Sequence, residues 1–258
     1  YGAASGGIVG MLRESVRRSA ARAMDARSRA SHCDRGLAIA FHGVGEVGER
    51  HPLDVTIDVE RFEEQIRYLD AHYALVRSSE LLDAVRARRW GEKLPVAITF
   101  DDDLRSRAVS DPDGAGLRPA DIRDLSDGGR YEIGFHTRSH YNLAILDDAR
   151  LANELTAGRD ELAEIVGRSL TSIAYPGGRW NHNVADASRD AGFELGFTCD
   201  PIPADPDADP LHIGRLVPNW CKTRGQFALE VASAMAGRQQ PWPIVERPAP
   251  APLRPSSA

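Results

Sequence analysis

Cysteine is scarce in this chain of 258 residues, which contains only Cys33, Cys199 and Cys221. They are odd in number, lie far apart and include no C-x-x-C pair, which excludes a disulfide framework and a cysteine-ligated zinc site. We interpret all three as inert, mostly buried thiols.

Long apolar runs and an excess of positive charge are also absent. No run approaches the ~18 apolar residues that a membrane-spanning helix needs, and the N-terminus lacks the uninterrupted apolar core of a secretion signal. The net charge of −6 gives no reason to expect nucleic acid as a partner. Because residue 1 is Tyr, an upstream segment is allowed for, and the location stays open between the cell envelope and the cytoplasm. The oligomeric state is left open as well.

What is present is the composition of a soluble globular protein, with 42% hydrophobic and 27% charged residues. We divide the chain into an N-terminal helical extension (1–35), one main domain (36–240) and a proline-rich tail (241–258). Residues 8–30 predict an amphipathic helix with many arginines. This helix either lies solvated against the edge of the domain or touches an anionic membrane surface.

Strand patterns alternate with helix patterns through the main domain, which predicts a mainly parallel α/β sheet, open or closed into a barrel. Predicted strands include 36–44, 94–100 and 130–135, and one long helix is predicted over 147–167. In both architectures the chemistry lies at the carboxyl ends of the strands.

Acidic residues and histidines follow two of these strands. Asp101, Asp102 and Asp103 come directly after "VAITF", where three close carboxylates repel each other unless a cation compensates them. His136 and His140 follow the strand at 130–135, and their i, i+4 spacing lets both rings face one point if the segment takes a helical turn. Two histidines and one carboxylate are typical of a catalytic divalent-metal site with an open position for water.

Each pattern alone is weak, since a DD pair is usually a cap or a solvated loop, and H-x-x-x-H often has no function. Their occurrence together at strand ends favours a metal site. The histidines without such a context are interpreted as surface or core residues, namely His32, His51, His72, His182 and His212.

Three motifs in order resemble those of the polysaccharide deacetylases, the NodB-homology domain of carbohydrate esterase family 4. They are "TFDD" at 99–102, "HTRSH" at 136–140 and "AYPGGRW" at 174–180, and the resemblance runs from about Leu37 to Val217. It implies a distorted (β/α) barrel that removes N-acetyl groups from GlcNAc- or MurNAc-containing glycans with a divalent metal ion, most expected to be Zn²⁺.

Carried over residue by residue, the resemblance makes Asp101 the general base and Asp102, His136 and His140 the metal ligands. The acetylated amino-sugar glycan is the implied partner.

The third motif is expected to bind the substrate through Tyr175, Pro176, Gly177 and Trp180. A backbone N–H near Tyr175 is a candidate second donor to the oxyanion. Trp180 either stacks on a sugar ring or belongs to the core.

The chain departs from the family pattern at individual positions. Asp103 stands where the family usually has Gly, and no arginine precedes "AYP" to orient the base. The general acid is left unassigned, because His212 in "LHIGR" aligns poorly with the family's late Leu-x-His motif.

Spacing is the largest departure. Asp101 and His136 are 136 − 101 = 35 positions apart, with one short helix and no strand between them. About one βα unit is therefore expected to be missing between Asp103 and Leu117. Either the molecule contains a segment that this sequence omits, or the chain is a naturally shortened homologue.

Two alternatives to a glycan deacetylase stay open. One is a catalytically impaired homologue that binds a glycan or a protein. The other is a deacylase of a non-sugar amide or ester, because the motifs define the reacting centre and leave the groove undefined.

Overall fold

The structure is a computed structural model that describes residues 8–30, 34–45, 56–102, 117–129, 131–218, 222–241 and 243–244. Asp103 lies outside these residues. The expected position of the missing βα unit and most of the predicted tail also lie outside them, so these expectations stay predictions. None of the described helices combines the length and the apolar character that crossing a bilayer requires.

Helices and strands alternate along the described part of the chain. The α-helices are α1 (Ile8–Arg29), α2 (Val59–His72), α3 (Leu81–Ala87), α4 (Pro119–Asp127), α5 (Asp148–Thr156), α6 (Arg159–Val166), α7 (His182–Asp190) and α8 (Arg224–Met235). The strands are β1 (Leu37–Phe41), β2 (Ala74–Val76), β3 (Pro95–Phe100), β4 (Ser172–Ala174), β5 (Leu195–Phe197) and β6 (Arg215–Leu216).

The strands form two parallel sheets, one of four strands in the order β2-β3-β1-β6 and one formed by β4 and β5. An isolated parallel bridge between Phe197 and Ile213 connects them, because Ile213 lies just before β6. The prediction of an α/β fold with a mainly parallel sheet is therefore confirmed.

Side chains connect the two outer edges of this arrangement. Arg77, directly after β2, donates to the carbonyl oxygen of Gly129 over 2.7 Å. The Glu132 carboxylate accepts from the Ser78 hydroxyl at 2.7 Å and from the Ser79 amide at 3.0 Å. Within the described residues, no backbone ladder joins β2 to the segment around Glu132.

Apolar side chains on both sides of the sheets fix the framework. Every residue of β1 is buried, because strands covered on both faces have no solvated side. One core cluster joins β1 and β3 to α1, α2 and α8 and includes Ile39, Leu69 and Phe227. A second joins β4 to the helices that precede and follow it and includes Leu155, Ile173 and Val184.

A buried carboxylate anchors α1 to the domain. Asp25 is 1% exposed and accepts hydrogen bonds from the hydroxyl groups of Tyr73, at 2.5 Å, and Tyr68, at 3.1 Å. Burial raises the pKa of Asp25, and the two tyrosine hydrogen bonds oppose this rise. The predicted N-terminal helix is thus packed against the main domain, mostly along α8.

The single long helix predicted over 147–167 is wrong, since the structure has α5 and α6 with a break between them. Gly158 at the break has φ of +79°, a conformation that glycine adopts without the strain that a Cβ would bring. The Arg159 guanidinium then bonds to the carbonyl oxygens of Leu170 and Ala191, which fixes the start of α6.

The strand predicted at 130–135 is reduced to a single bridge from Phe135 to Ile173. Two backbone hydrogen bonds hold it, from the Phe135 amide to the Ser172 carbonyl at 2.8 Å and from the Ala174 amide to the Phe135 carbonyl at 2.9 Å. This short pairing still aligns His136 with the end of β4.

Replacing Gly196 of β5 with Ala is expected to destabilise the fold by about 2–3 kcal/mol. An added Cβ would meet the Tyr175 hydroxyl and lie 2.8 Å from the Leu211 carbonyl oxygen. These two groups share a buried hydrogen bond of 2.9 Å, so neither moves freely. Urea unfolding measures the change.

Gly128→Ala is the matched control, because its Cβ would meet nothing closer than 3.6 Å. Equal free energies of unfolding for the two variants would contradict the close approach at Gly196.

Candidate active site

The ends of β1 and β3 lie side by side and bring His42 and the paired aspartates to one edge of the sheet. Phe41 pairs with Phe100 in parallel register, so the two strands end at the same level. The Asp101 amide then donates to the Phe41 carbonyl oxygen over 2.9 Å. The next residue, Asp102, has φ of +58°, which turns the chain directly after the strand.

His136 lies beside the end of β4, because Phe135, the residue before it, pairs with Ile173. Its Nδ1 lies 2.7 Å from the carbonyl oxygen of Ala174, which can only accept a hydrogen bond. Nδ1 therefore carries a proton, and in the neutral ring Nε2 is left with a free lone pair. A carbonyl behind the ring is the arrangement usually found for histidines that bind a metal.

Asp102, His136 and His140 converge on one point. Asp102 Oδ1 lies 3.4 Å from the Nε2 atom of each histidine, and the ligand atoms of all three residues lie within 4.8 Å of one another. Ligands about 2.1 Å from a tetrahedral ion would be separated by about 3.4 Å. The two imidazoles and the carboxylate are also suitable donors for zinc, so these residues fit a divalent ion.

Backbone strain is concentrated at this site. Among the described residues, the non-glycine positions with positive φ are Asp102 (58°), Thr137 (60°) and His140 (52°). Each such position costs on the order of 1–3 kcal/mol and persists only when its surroundings hold it. The His140 amide donates to the Thr137 hydroxyl over 3.1 Å, which supports the turn. The two rings thus meet without the helical turn considered for 136–140, because left-handed residues bring them together instead.

Asp101 belongs to a second, separate contact. Its two carboxylate oxygens accept hydrogen bonds of 2.6 and 2.5 Å from the two Nη atoms of Arg215 in β6. Arg215 is fully buried and is itself fixed by a bond of 2.8 Å from Nε to the Thr198 carbonyl and one of 3.1 Å from Nη1 to the Thr99 hydroxyl. A bidentate pair of this kind fixes the orientation of the carboxylate.

Arg215 was not predicted from the sequence. The family pattern places the arginine that orients the base before "AYP", whereas the partner of Asp101 here is Arg215, 114 positions later in the chain. A signal was present, because a lone arginine between apolar residues in "HIGRLVP" is unusual for a strand and indicates a buried charge with a partner.

Both aspartates are ionised at neutral pH for different reasons. Burial alone would raise the pKa of Asp101, but the Arg215 charge and hydrogen bonds outweigh it, with help from His136 and His42, so its pKa lies below the usual value. The main cause of the lowered pKa of Asp102 is the hydrogen bond that the protonated form of His136 donates to it; burial opposes this, and the charges of His136, His140 and His42 add to it. The main partner of Asp101 is thus Arg215, and that of Asp102 is His136.

A further cluster lies beyond β5. His212 Nε2 is 2.8 Å from Asp200 Oδ2, and the Trp180 indole N–H donates to the same oxygen over 3.0 Å. The Trp180 and His212 rings stack with their centroids 3.7 Å apart. Trp180 is thus a core residue here, and His212 has a buried acidic partner that the sequence analysis did not assign to it.

Three of the four predicted substrate-binding residues are buried, namely Tyr175, Pro176 and Trp180. The Tyr175 hydroxyl donates to the Leu211 carbonyl, and its amide donates to the Phe197 carbonyl over 2.9 Å. Because the continued pairing of β4 with β5 uses this amide, the Tyr175 N–H itself is already engaged, and a backbone donor near Tyr175 stays a prediction. Gly177 is exposed, with φ of +60°, and is the residue of this group that faces solvent.

Comparison with known protein families gives a match over residues 106–196 to the family described as polysaccharide deacetylase. The matched segment contains both histidines of the metal site and the "AYPGGRW" motif, and it begins after Asp101 and Asp102. This part of the chain is therefore similar to the polysaccharide deacetylases.

Three solved structures share the fold of this chain. A polysaccharide deacetylase from Bacillus cereus is similar with a TM-score of 0.62 and 19% identity, covering 76% of this chain and 69% of its own. The deacetylase PplD from Streptococcus pyogenes has a TM-score of 0.64 and 16% identity, covering 76% and 98%. IcaB from Ammonifex degensii has a TM-score of 0.59 and 21% identity, covering 77% and 97%.

Arg215→Met is expected to reverse the contribution of Asp101 to stability as the pH changes. In the parent chain the lowered pKa of Asp101 stabilises the fold above the usual carboxyl pKa, and this stability is lost as the pH falls through the folded pKa. Without Arg215, burial raises the pKa of Asp101, so the stability of the variant falls as the pH rises. At pH 7 the loss should be about 3–5 kcal/mol and should shrink below about pH 4.

Urea unfolding of the chelator-treated chain between pH 3.5 and pH 7 measures this effect. Arg189→Met is the control, because Arg189 forms exposed pairs with Asp186 and Asp209 that are worth about 1 kcal/mol at most. Parallel pH profiles for the two variants would show that Arg215 does not hold Asp101 ionised.

Proposed function

We propose that this chain is a metal-dependent hydrolase that removes N-acetyl groups from a polysaccharide containing GlcNAc- or MurNAc-type amino sugars. The observation that carries the proposal is the convergence of Asp102, His136 and His140 beside the buried Asp101–Arg215 pair. The match of residues 106–196 to the polysaccharide deacetylase family supports the reaction and the class of substrate.

A divalent ion, most expected to be Zn²⁺, would be held by Asp102, His136 and His140. When bound, such an ion supplies Lewis acidity, which activates water and polarises a carbonyl group. The protein prepares this site through the Ala174 carbonyl, which orients the His136 ring. The left-handed backbone at Asp102 and His140 brings these side chains to the same point.

Asp101 is proposed as the general base that takes a proton from the attacking water. Arg215 binds one lone pair of each carboxylate oxygen, and each oxygen keeps a further lone pair that can accept the proton. Since Arg215 also lowers the pKa of Asp101, it makes the base weaker and at the same time keeps it ionised and correctly aimed. Arg215 is therefore a positioning residue.

An open site supports a polymeric substrate. The His140 side chain is 50% exposed, and its neighbour Tyr141 is 58% exposed. A metal centre that solvent reaches along one side admits an internal sugar of a long chain, whereas an enclosed pocket admits only small molecules. The exposed Gly177 offers backbone without a side chain, and we propose that it forms part of the groove wall.

Two substitutions distinguish the role of the general base from that of the metal ligands. Asp101→Asn is expected to keep the metal and to lose turnover by a factor of about 10²–10⁴, the usual contribution of a general base. His136→Ala is expected to lose both metal and turnover. Acetate release from acetylated chito-oligosaccharides measures turnover, and elemental analysis measures bound metal.

His182→Ala is the matched control, because His182 is exposed at the start of α7. Unchanged turnover in Asp101→Asn would make the assignment of the base wrong. A parent chain that binds metal and glycan without releasing acetate would favour the glycan-binding alternative. Acetate release from non-sugar amides or esters alone would favour the deacylase alternative.

Added Zn²⁺ is expected to raise the thermal unfolding temperature of the metal-free chain, because binding to the folded state stabilises it by mass action. At a hundredfold excess over the dissociation constant the gain is about 2.7 kcal/mol. His140→Ala should lose most of this gain, and differential scanning calorimetry measures it. An equal rise in the variant would show that the ion binds elsewhere.

A further inference from the structure

A small, partly open surface pocket with a volume of about 10 Å³ lies between α1, α2 and α8, outside the candidate metal site. Arginine and histidine side chains form most of its wall, and an aromatic ring and a small apolar residue complete it. The lining residues are Arg18, Arg22, Tyr68, His72, Arg224 and Ala228.

The three arginines of this pocket have no anionic partner within the described residues. No hydrogen bond or ion pair joins Arg18, Arg22 or Arg224 to another described side chain. Like charges that face one concavity repel each other, so an anion bound there would relieve the repulsion.

The acidic groups nearby are already engaged. The Glu14 carboxylate accepts from the Thr223 hydroxyl at 2.8 Å and from the Gly225 amide at the start of α8. Asp25 bonds to Tyr68 and Tyr73. Burial is the main cause of the lowered pKa of His72; the charge of Asp25 opposes it, and the charges of Arg29, Arg22 and Lys93 add to it.

An exposed apolar face lies on the same helix. Met11, Leu12 and Val16 of α1 are 63%, 59% and 66% exposed. Leu12 and Val16 are four residues apart and share one side of the helix. Such large apolar side chains have a cost in water unless something covers them.

The charge of α1 indicates which kind of partner would suit this exposed apolar face. The helix carries six arginines and only two acidic residues, whereas the whole chain has a net charge of −6. Exposed apolar residues flanked by arginines are the pattern of helices that lie at the surface of anionic bilayers. An arginine pocket beside them suits a phosphate group, because guanidinium groups bind phosphate in a bidentate manner.

We propose that α1 docks this chain on an anionic phospholipid surface, with a headgroup phosphate bound by Arg18, Arg22 and Arg224 at the open mouth of the pocket and with Leu12 and Val16 in the interfacial layer. This inference is independent of the deacetylase activity, because it uses no residue of the metal site.

Vesicle sedimentation tests the proposal. The full chain is mixed with vesicles of phosphatidylcholine alone or with about 30% phosphatidylglycerol, and binding is expected only in the second case. The triple variant Arg18→Gln, Arg22→Gln and Arg224→Gln should bind at least tenfold more weakly, since each arginine near an anionic surface contributes about fivefold. Equal binding to both vesicle types, or to neither, would overturn the proposal.

A matched triple variant removes the same charge elsewhere, at three arginines that are 70–77% exposed and lie outside the pocket, Arg67→Gln, Arg118→Gln and Arg150→Gln. It should retain most of the binding. An equal loss in both triple variants would show that net charge alone acts, and would overturn the pocket as a headgroup site.

Two further measurements separate lipid from free phosphate. Leu12→Ser with Val16→Ser should weaken vesicle binding, while calorimetric titration with inorganic phosphate should give the same result as for the parent chain. Binding of inorganic phosphate without vesicle binding would overturn the lipid as the source of the anion. Circular dichroism checks that each variant is folded.

Discussion

The candidate site depends on how two adjacent carboxylates are kept charged, each by a different main partner. Arg215 holds Asp101 through two short hydrogen bonds, and the two histidines face Asp102. Left together in a partly buried strand end, the two acids would repel each other, and one of them would take up a proton. Two separate sources of positive charge remove this conflict, so one acid is free for proton transfer and the other for binding a metal.

The fold places Asp101 and Asp102 beside different partners, and it does so with strained backbone at Asp102 and His140. β1, β3 and β6 bring the Asp101–Arg215 pair together from three distant parts of the chain, while the end of β4 positions His136. Left-handed backbone at Asp102 and His140 then turns the remaining ligands inward. Such conformations persist only where hydrophobic cores on both sides of the sheets hold the backbone firmly, as the two large clusters here do.

The candidate site could be predicted in part because its residues are grouped in short motifs. The aspartate pair and the two histidines stand next to strand patterns, and the rule that parallel strands share one functional edge was enough to bring them together. Local backbone choices escaped prediction. The break at Gly158 and the left-handed turn at Thr137 depend on contacts that the local pattern does not contain, such as the Arg159 bonds to two distant carbonyl oxygens.

The sequence by itself determined the alternation of strands and helices, the parallel sheet and the set of acids and histidines at the strand ends, because periodicity and short motifs are local properties. The resemblance to the polysaccharide deacetylases is likewise carried by short motifs. Only the tertiary structure decided that Arg215 is the partner of Asp101, that Trp180 and Tyr175 belong to the core, and that α1 is anchored through Asp25. These contacts join residues far apart in the chain, and burial and charge pairing select among distant partners only once the chain has folded.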